Sequence, residues 1–370
     1  MLLKELEIEN FRNYEAASVV FSPAVNVVAG ENAQGKTNLL EAAYYLCGAR
    51  SFRTRSDKEL LRFGEETARL RAVFEAGERE QELELRLRRG GRKQIFLNGV
   101  KKTAASELSG TLCAVLFCPE DMELVRGGPA ERRRLMDLAI SQLRPRYAAA
   151  LSRFSRAYEH KLRILRDWRE KPSLLEVLDT FNTELARAGA ELIWYRAAWC
   201  ARLAELAAPL HGEVSGRGEK LELRYQTVKT VEEPEKRRPE EIYEALLEYQ
   251  ATHRRAELDA GLVLSGAMKD DLLIRINGSE AKSYASQGQA RTAALSIKLS
   301  EREIIRQSLG EYPLLLLDDV LSELDERRQD FVINRISGGQ VLISCCDARQ
   351  VAARTGGKVF EVEDGKIKEE

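Results

Sequence analysis

The stretch that most limits what this chain can fold into lies at residues 25–45, where an apolar strand, a glycine-bounded loop and a helix follow one another. The loop fits the pattern G-x-x-x-x-G-K-S/T and consists of Gly30, Glu31, Asn32, Ala33, Gln34, Gly35, Lys36 and Thr37. In this pattern loop amides and a helix N-terminus converge on an anion, glycines let the backbone close around it, and the lysine adds charge. The threonine hydroxyl can hold Mg²⁺. We therefore predict that residues 30–37 bind nucleotide phosphates, with Lys36 also a candidate catalytic residue.

Length and composition narrow the class of protein further. A chain of 370 residues exceeds the usual span of one core, so we expect one large interrupted domain or two domains. No apolar run approaches the roughly 18 residues of a membrane span, and the N-terminus alternates like a strand rather than a signal peptide. The six cysteines form no C-x-x-C pair, which favours buried, reduced thiols in a cytoplasmic protein without a membrane partner.

Sheet-forming patterns occupy both ends of the chain and bracket a helical region. A heptad seam over residues 178–199 lies within a predicted helical run from Ser173 to Leu206, which would be at most about 50 Å long at ~1.5 Å per residue and predicts a helical arm. Sheet patterning then returns at residues 262–264 and in a hairpin whose second strand is predicted at residues 281–284. We predict an α/β fold in which a P-loop head with a mixed sheet is interrupted by a helical arm. The predicted head segments are 1–128 and 261–370, and the predicted arm is 129–260.

A pair of acids follows a second buried strand. Four leucines at residues 314–317 precede Asp318 and Asp319. A P-loop fold keeps the carboxylate that partners Mg²⁺ at this strand end, which predicts Asp318 as a metal ligand beside Thr37. Asp319 is the candidate catalytic residue that orients or deprotonates the attacking water. The alternative is a plain Asp-Asp turn after a buried strand.

A third stretch opens a long amphipathic helix about thirty residues before Asp318, and it contains Ser286, Gln287, Gly288 and Gln289. A small polar residue with glycine at a helix N-terminus is a second anion site. Because a P-loop already surrounds its own triphosphate, this second site is useful only if it caps the nucleotide of another copy. The alternative is an ordinary N-cap by Ser286.

These stretches resemble, in order and spacing, the ATP-binding-cassette head family. More closely, nearly the full chain is similar to the RecF family of bacterial recombination and replication-repair proteins, which is related to SMC heads. The resemblance is carried by the strings N-F-R-N-Y from Asn10, G-E-N-A-Q-G-K-T-N from Gly30, S-Q-G-Q-A-R-T-A-A-L from Ser286 and L-L-L-D-D-V-L-S-E-L-D from Leu315.

The resemblance implies ATP and Mg²⁺ as cofactors and an ATP-dependent homodimer with a weak, DNA-stimulated ATPase. It adds Arg12 and Asn38 to the nucleotide-binding residues, and the alternative for Arg12 is a surface arginine at a strand end. It further implies binding to double-stranded, gapped or single-stranded DNA, work with RecR and RecO in loading RecA, and support of SOS induction. An aspartate at position 319 has a shorter side chain than glutamate, and we expect slow hydrolysis.

Basic clusters lie in the N-terminal part of the chain, while the net charge of −1 gives no signal for the chain as a whole. Together with the resemblance they predict a DNA surface that contacts phosphates without reading sequence. Its candidate residues are Arg53, Arg55, Arg88, Arg89, Arg92 and Lys93. Few aromatics interleave with these clusters, so base stacking is not predicted.

Some positions depart from the family pattern or carry no assigned chemistry. Residues 266–271 read G-A-M-K-D-D where the family has G-P-H-R-D-D, so the role of that segment stays open. His160, His211 and His253 are expected to be solvated, and Cys345 and Cys346 to pack in a buried strand. Two other classes remain as alternatives: the ATPase subunit of a membrane transporter, which lacks its switch histidine here, and an SMC-like structural ATPase.

Overall fold

The computed structural model describes residues 1–54, 56–216, 218–227, 231–336 and 338–369. Its strands are β1 (Leu2–Phe11), β2 (Tyr14–Val20), β3 (Val25–Ala29), β4 (Thr67–Ala76), β5 (Arg79–Arg88), β6 (Gln94–Leu97), β7 (Val100–Lys102), β8 (Ala114–Phe117), β9 (Leu221–Gln226), β10 (Asp271–Ile276), β11 (Ser279–Glu280), β12 (Leu314–Asp318), β13 (Val341–Cys345), β14 (Lys358–Glu363) and β15 (Lys366–Glu369). Its α-helices are α1 (Lys36–Leu46), α2 (Met122–Arg126), α3 (Pro129–Leu143), α4 (Pro145–Asp167), α5 (Leu178–Ser215), α6 (Pro239–Thr252), α7 (Arg254–Ala260), α8 (Ala281–Tyr284), α9 (Gln287–Leu309), α10 (Glu326–Arg335) and α11 (Ala348–Thr355).

The chain divides into two compact units, which are described separately. The first unit comprises Met1–Asp121 and Leu295–Glu370, and the second comprises Met122–Ala294. The sequence-based boundaries lay after residues 128 and 260. The segment from 261 to 294 groups with the helical unit because β10 pairs with β9 along its whole length, from Asp271 with Gln226 to Ile276 with Leu221.

A mostly parallel sheet in the first unit positions the candidate site. Its strand order is β15-β14-β3-β13-β12-β8, with β15 antiparallel at the edge. All residues of β8, β12 and β13 are buried, which is typical of parallel strands covered on both faces. β13 lies between β3 and β12, so that Cys345 pairs with Ala29 and Ser344 with Asp318. The loop after β3 and the acid ending β12 therefore lie at the same edge of the sheet.

An antiparallel sheet in the same unit has the order β2-β1-β4-β5-β6-β7. Along β4 the buried side chains alternate with more exposed ones, and the apolar set includes Leu70 and Phe74. The opposite face carries cross-strand ion pairs, among them Arg71 to Glu82 at 2.6 Å. Such alternation leaves one face on the core and one face available to solvent.

The second unit combines helices α3 to α7 with the three-stranded sheet β11-β10-β9. Helix α5 has 38 residues, which corresponds to about 57 Å at ~1.5 Å per residue. Gly189 on this helix allows close packing against α4 and α6. A Cβ at Gly189 would lie 3.3 Å from the Phe154 ring and 3.5 Å from Leu246. None of the described helices is long and apolar enough to cross a membrane.

The segment that departs from the family pattern, residues 266–271, holds this unit together through its two acids. Asp271 receives two hydrogen bonds from the Arg132 guanidinium, at 2.6 and 2.9 Å. Asp270 is fully buried and accepts from Arg196 at 3.0 Å and from the Tyr225 hydroxyl. Burial raises the pKa of Asp270 to about 6, although Arg196 opposes the shift. The acids thus satisfy arginines of α3 and α5, a structural role for the part of the motif that this chain keeps.

Three sequence predictions in this unit are wrong. Residues 262–264 form no strand, since the Leu264 amide donates to the Glu257 side chain at 2.9 Å instead of to a ladder. Residues 281–284 form helix α8 rather than a strand, because the hairpin ends after two residues and an Ala-Lys start favours a helical turn. His211 was expected to be solvated, but it is fully buried on α5 with Glu219 3.4 Å away.

Candidate nucleotide-binding site

The loop between β3 and α1 has the backbone geometry of a phosphate cradle. Gly30 and Gly35 have φ values of +152° and +125°. A Cβ at Gly30 would lie 2.3 Å from the Val362 carbonyl oxygen, and one at Gly35 would lie 2.8 Å from the Asn13 side chain. Both positions therefore require glycine. Both have a positive φ that other residues rarely adopt, and at Gly30 a side chain would also collide with the Val362 carbonyl oxygen. Residues 31–33 between them are exposed, which leaves the mouth of the loop open.

Lys36 closes the loop from inside. Its ammonium donates to the carbonyl oxygens of Gly30 at 2.7 Å and Glu31 at 3.0 Å, and the residue is 4% exposed. No acidic residue lies in the first turn of α1, so the positive end of the helix is not neutralised there. Lysine and helix terminus together supply positive charge at the loop.

Thr37 and Asp318 meet at the end of β12. The Thr37 hydroxyl lies 3.0 Å from an oxygen of Asp318, and the Ser344 hydroxyl donates to the same oxygen at 2.7 Å. Burial raises the pKa of Asp318, and the nearby charges of Asp319 and Glu120 add to the shift, while the two hydroxyls oppose it. A buried carboxylate next to other acids favours a cation beside it. The threonine–aspartate pair is the donor set that fits Mg²⁺ at this position.

A cation here would need further ligands from the nucleotide. In the described part of the chain no three His, Cys, Asp or Glu residues gather closely enough to hold a metal ion by themselves. Mg²⁺ is usually held by one or two protein ligands, with phosphate and water oxygens completing its shell. The site therefore fits a metal that arrives with a phosphate ligand.

Asp319 follows the strand with a backbone conformation that is uncommon for a residue other than glycine. Its φ is +51°, an uncommon value outside glycine, at which aspartate and asparagine are enriched. The Asp319 amide donates to Ser344 Oγ at 2.9 Å, and its carbonyl accepts from the Ser322 hydroxyl at 2.8 Å. Ser344 thus positions both acids. Ser344 was not predicted from the sequence, although its place next to Asp318 follows from the pairing of two neighbouring parallel strands.

The loop is also anchored from outside by Asn13 and Asp364, to which the sequence assigned no role. The Asn13 amide donates to the Gln34 carbonyl at 2.8 Å, and the Asn13 side-chain oxygen accepts from Asn38 at 2.8 Å. The Gln34 side chain accepts from the Asp364 amide at 2.7 Å. These contacts join the loop to the turn after β1 and to the β14–β15 turn, which preorganises it.

Arg12 points to α1. Its guanidinium makes two hydrogen bonds of 2.8 Å to the fully buried Glu41, and a third of 2.7 Å to the Glu59 carbonyl. Arg53 contacts Glu41 at 3.4 Å and Asn38 at 2.7 Å. Direct contact of Arg12 and Asn38 with the nucleotide stays a prediction; what is observed is that both support α1.

The signature segment, residues 286–289, lies in the second unit and is exposed at its start. The Ser286 amide donates to the Gln289 side chain at 2.9 Å, and the Gln289 amide donates to Ser286 Oγ at 3.2 Å. This reciprocal pair is a capping box, and Gln289 also donates to Glu219 at 3.0 Å. Ser286 and Gln287 are exposed. The segment therefore begins α9 with a capped terminus whose Ser286 and Gln287 side chains face solvent.

The candidate DNA-contacting residues divide into two groups. Arg53, Arg88, Arg89 and Arg92 are exposed, and Arg55 lies outside the described residues. Lys93 is the exception, because its ammonium donates to the Ala49 carbonyl at 2.6 Å and pairs with Asp57 at 3.0 Å. Burial lowers the pKa of Lys93. Its position does not support a phosphate contact.

The two neighbouring cysteines differ in environment. Cys345 ends β13 and is buried with Val27 and Ala29, as predicted. Cys346 is exposed, which contradicts the prediction, because the strand has ended and the chain turns toward the loop. Its Sγ lies 3.7 Å from the Lys36 ammonium and 3.4 Å from the Asn32 side-chain oxygen.

A P-loop, a strand-end acid pair and a helical insertion on this α/β scaffold define an ABC-type ATPase head. A family model described as RecF/RecN/SMC N terminal domain matches residues 2–368. The chain is 36% identical over 370 residues to the DNA replication and repair protein RecF of Agathobacter rectalis, covering 99% of each chain. It is 39% identical to the protein of that name from Lactobacillus johnsonii, again over 99% of each chain.

Solved structures agree. A structure of the recombination mediator protein RecF with ATP superposes with a TM-score of 0.92 at 33% identity, covering 100% of this chain and 97% of that one. An SMC head domain from Pyrococcus yayanosii has a TM-score of 0.57 at 15% identity over 100% of this chain and 96% of that one, which shows the fold alone. The chain belongs to the RecF family.

Proposed function

We propose that this chain is an ATP-dependent DNA-binding protein of replication and recombinational repair, whose dimer forms on ATP. The observation that carries the proposal is the Thr37–Asp318 contact of 3.0 Å beside the Lys36 ammonium, at the edge where β3 and β12 end. This arrangement offers positive charge for phosphates and a carboxylate for their cation in adjacent positions. A solved relative named as RecF bound to ATP supports the choice of nucleotide.

In this proposal residues 30–38 bind ATP through loop amides and Lys36, and Arg12 supports them from the turn after β1. Thr37 and Asp318 hold Mg²⁺, which arrives with the nucleotide and neutralises phosphate charge. Asp319 orients the attacking water and accepts its proton. We propose that the protein is a weak, DNA-stimulated ATPase, in which slow ATP hydrolysis returns the dimer to its unbound state.

The second half of the site comes from another copy. Ser286, Gln287 and Gly288 of a second molecule contact the nucleotide held by Lys36, and Gln289 keeps the capping box in place. The support is that Ser286 and Gln287 are exposed. ATP binding and dimerisation are then one event.

The dimer acts on DNA in the cytoplasm. Exposed arginines at positions 53, 88, 89 and 92 contact phosphates without reading sequence. Family membership, with a solved relative described as part of a RecFOR pathway, supports RecO and RecR as partners. We further propose recognition of gapped DNA with single-stranded and double-stranded parts, assistance to RecA loading, and support of SOS induction. Similarity to RecF proteins over the full chain does not favour the transporter or the SMC-like alternative.

DNA binding of the wild type and of Lys36→Ala, each with ATP, ADP and a non-hydrolysable ATP analogue, tests the proposal. We expect tight binding only for the wild type with ATP or the analogue. The affinity should fall with salt, with a slope of log K near −0.9 per phosphate contact on duplex DNA. DNA binding that is the same with ATP, with ADP and in Lys36→Ala would contradict the proposal.

A further inference from the structure

The antiparallel sheet of the first unit carries a groove of about 540 Å³ along β1, β4 and β5. Four arginines line it, at positions 69, 86, 88 and 92, against one carboxylate, Glu9. Because carboxylates pair with only part of this positive charge, the groove is complementary to a polyanion.

The four arginines are not equivalent. Arg69 is held by Glu9 at 2.8 Å and by Glu84 at 2.5 Å, and Arg86 is held by Glu84 at 2.9 Å. Arg88 and Arg92 are exposed and have no ion-pair partner among the described residues. The first pair therefore shapes the groove, and the second pair has free hydrogen-bond donors for phosphate oxygens.

A fully exposed aromatic side chain stands beside this groove. Phe63 is 100% exposed, the largest value among the exposed large hydrophobic side chains of the described chain. It occupies the second position of a turn closed by the Glu65 amide donating to the Arg62 carbonyl at 3.0 Å. Gly64 follows with φ +88°, as a type II turn requires at its third position. The turn thus presents the ring outward by its own geometry.

The turn is bonded to the lining of the groove on both sides. The Arg62 amide donates to the carbonyl of Asn10, a lining residue, at 2.8 Å. The Glu65 carbonyl accepts from the Arg89 guanidinium at 2.9 Å, directly after Arg88. The turn that carries Phe63 is therefore bonded to a residue that lines the groove, and its exposed ring lies near the groove's phosphate-contacting arginines.

We propose that Phe63 stacks on an unpaired base of single-stranded DNA while Arg88 and Arg92 hold the neighbouring phosphates. This contact rests on the proposed function and adds to it a way to recognise gaps, because a gap offers an unpaired base and intact duplex does not. Every base has a face that an aromatic ring can cover, so the contact is independent of sequence. In intact duplex the bases are stacked on each other, and Phe63 contributes nothing.

Fluorescence anisotropy with three DNAs tests the proposal in the ATP-bound full chain: oligo-dT, a gapped duplex and a blunt duplex. Phe63→Ala should weaken binding to oligo-dT and to the gapped duplex about 5- to 150-fold, the range for loss of one stacked base, and leave the blunt duplex unchanged. Val100→Ala, which truncates an exposed apolar side chain on the antiparallel sheet itself, is the matched control and should change nothing. Arg88→Ala with Arg92→Ala should weaken all three and reduce the salt slope.

A second variant reports the stacking of residue 63 on a base by its fluorescence. Phe63→Trp should keep the affinity and show tryptophan quenching with oligo-dT that blunt duplex does not cause. Equal loss on all three DNAs, or none, would overturn the proposal, as would a Phe63→Ala protein that no longer dimerises with ATP, since the ring would then contact the second copy. If the wild type binds none of the DNAs with ATP, the proposed function itself fails, which is a distinct result.

Discussion

The phosphate loop and the signature segment are both short glycine-containing patterns at helix starts, but only the first is held by contacts to several other elements of the chain. The loop is closed by Lys36, anchored by Asn13 and next to a buried aspartate. The signature segment bonds mainly to itself through its capping box, and its first two residues are exposed. The loop is thus preorganised by other elements, whereas the signature segment is capped but exposed, which is the arrangement that the proposed composite site requires.

The largest effect should come from removing the charge that closes the loop. Lys36→Ala should weaken ATP binding about 10²- to 10⁴-fold, because one or two charge-assisted hydrogen bonds to phosphate are lost. Isothermal titration calorimetry measures it, with Lys101→Ala, an exposed lysine of β7, as the matched control. Equal affinities for the two variants would show that the loop does not hold the phosphates.

Asp319→Asn should separate binding from turnover. Asparagine tolerates the φ of +51°, so the fold and ATP affinity should stay, while hydrolysis falls about 10²- to 10⁴-fold with loss of the general base. Phosphate release under single-turnover conditions measures the rate. Hydrolysis at the wild-type rate would remove Asp319 from the mechanism.

Substitutions at Ser286 test whether the exposed signature segment contacts the second copy or only caps α9. Ser286→Ala should leave ATP affinity unchanged and lose ATP-dependent dimerisation, with hydrolysis about 10²- to 10³-fold slower. It also removes an N-cap, worth about 1 kcal/mol. Ser286→Asp keeps the cap but places negative charge at the proposed phosphate contact, so it should fail to dimerise while melting like the wild type. Dimerisation restored by Asp would mean that Ser286 only caps α9.

The smallest expected effect concerns pH. Burial raises the pKa of Asp318, so its carboxylate takes up a proton at a higher pH than an exposed aspartate does. Affinity for ATP with Mg²⁺ should therefore fall as pH drops, by up to about tenfold per pH unit, whereas ATP binding in EDTA should not follow this titration. The effect of Asp318 on the stability of the protein has the opposite sign. Because its pKa is higher in the folded than in the unfolded state, the free energy of unfolding falls as the pH rises through this range. Calorimetry at a series of pH values, with and without Mg²⁺, separates the two.

Some features of the site could be predicted from the sequence, and others could not. The loop, Asp318 and the helix after Ser286 were predictable because each is local: a strand, a spacing and a cap are written in consecutive residues. Ser344 and Asn13 were not, since their roles depend on which strands become neighbours. Cys346 was misplaced because one residue past a strand end reverses burial. Lys93 looked like part of a basic surface until its partners Ala49 and Asp57 were known.

The central claim is that the nucleotide site is composite, and mixing two inactive variants tests it most directly. In a mixed dimer of Lys36→Ala and Ser286→Ala, the loop of one chain and the signature segment of the other are both intact. Mixing equal amounts of the two variants should therefore give ATPase activity that neither variant shows alone, because the mixed dimer carries one complete site where a wild-type dimer carries two. Activity that stays at the level of the separate variants would contradict the account, and would place both halves of the site in one chain.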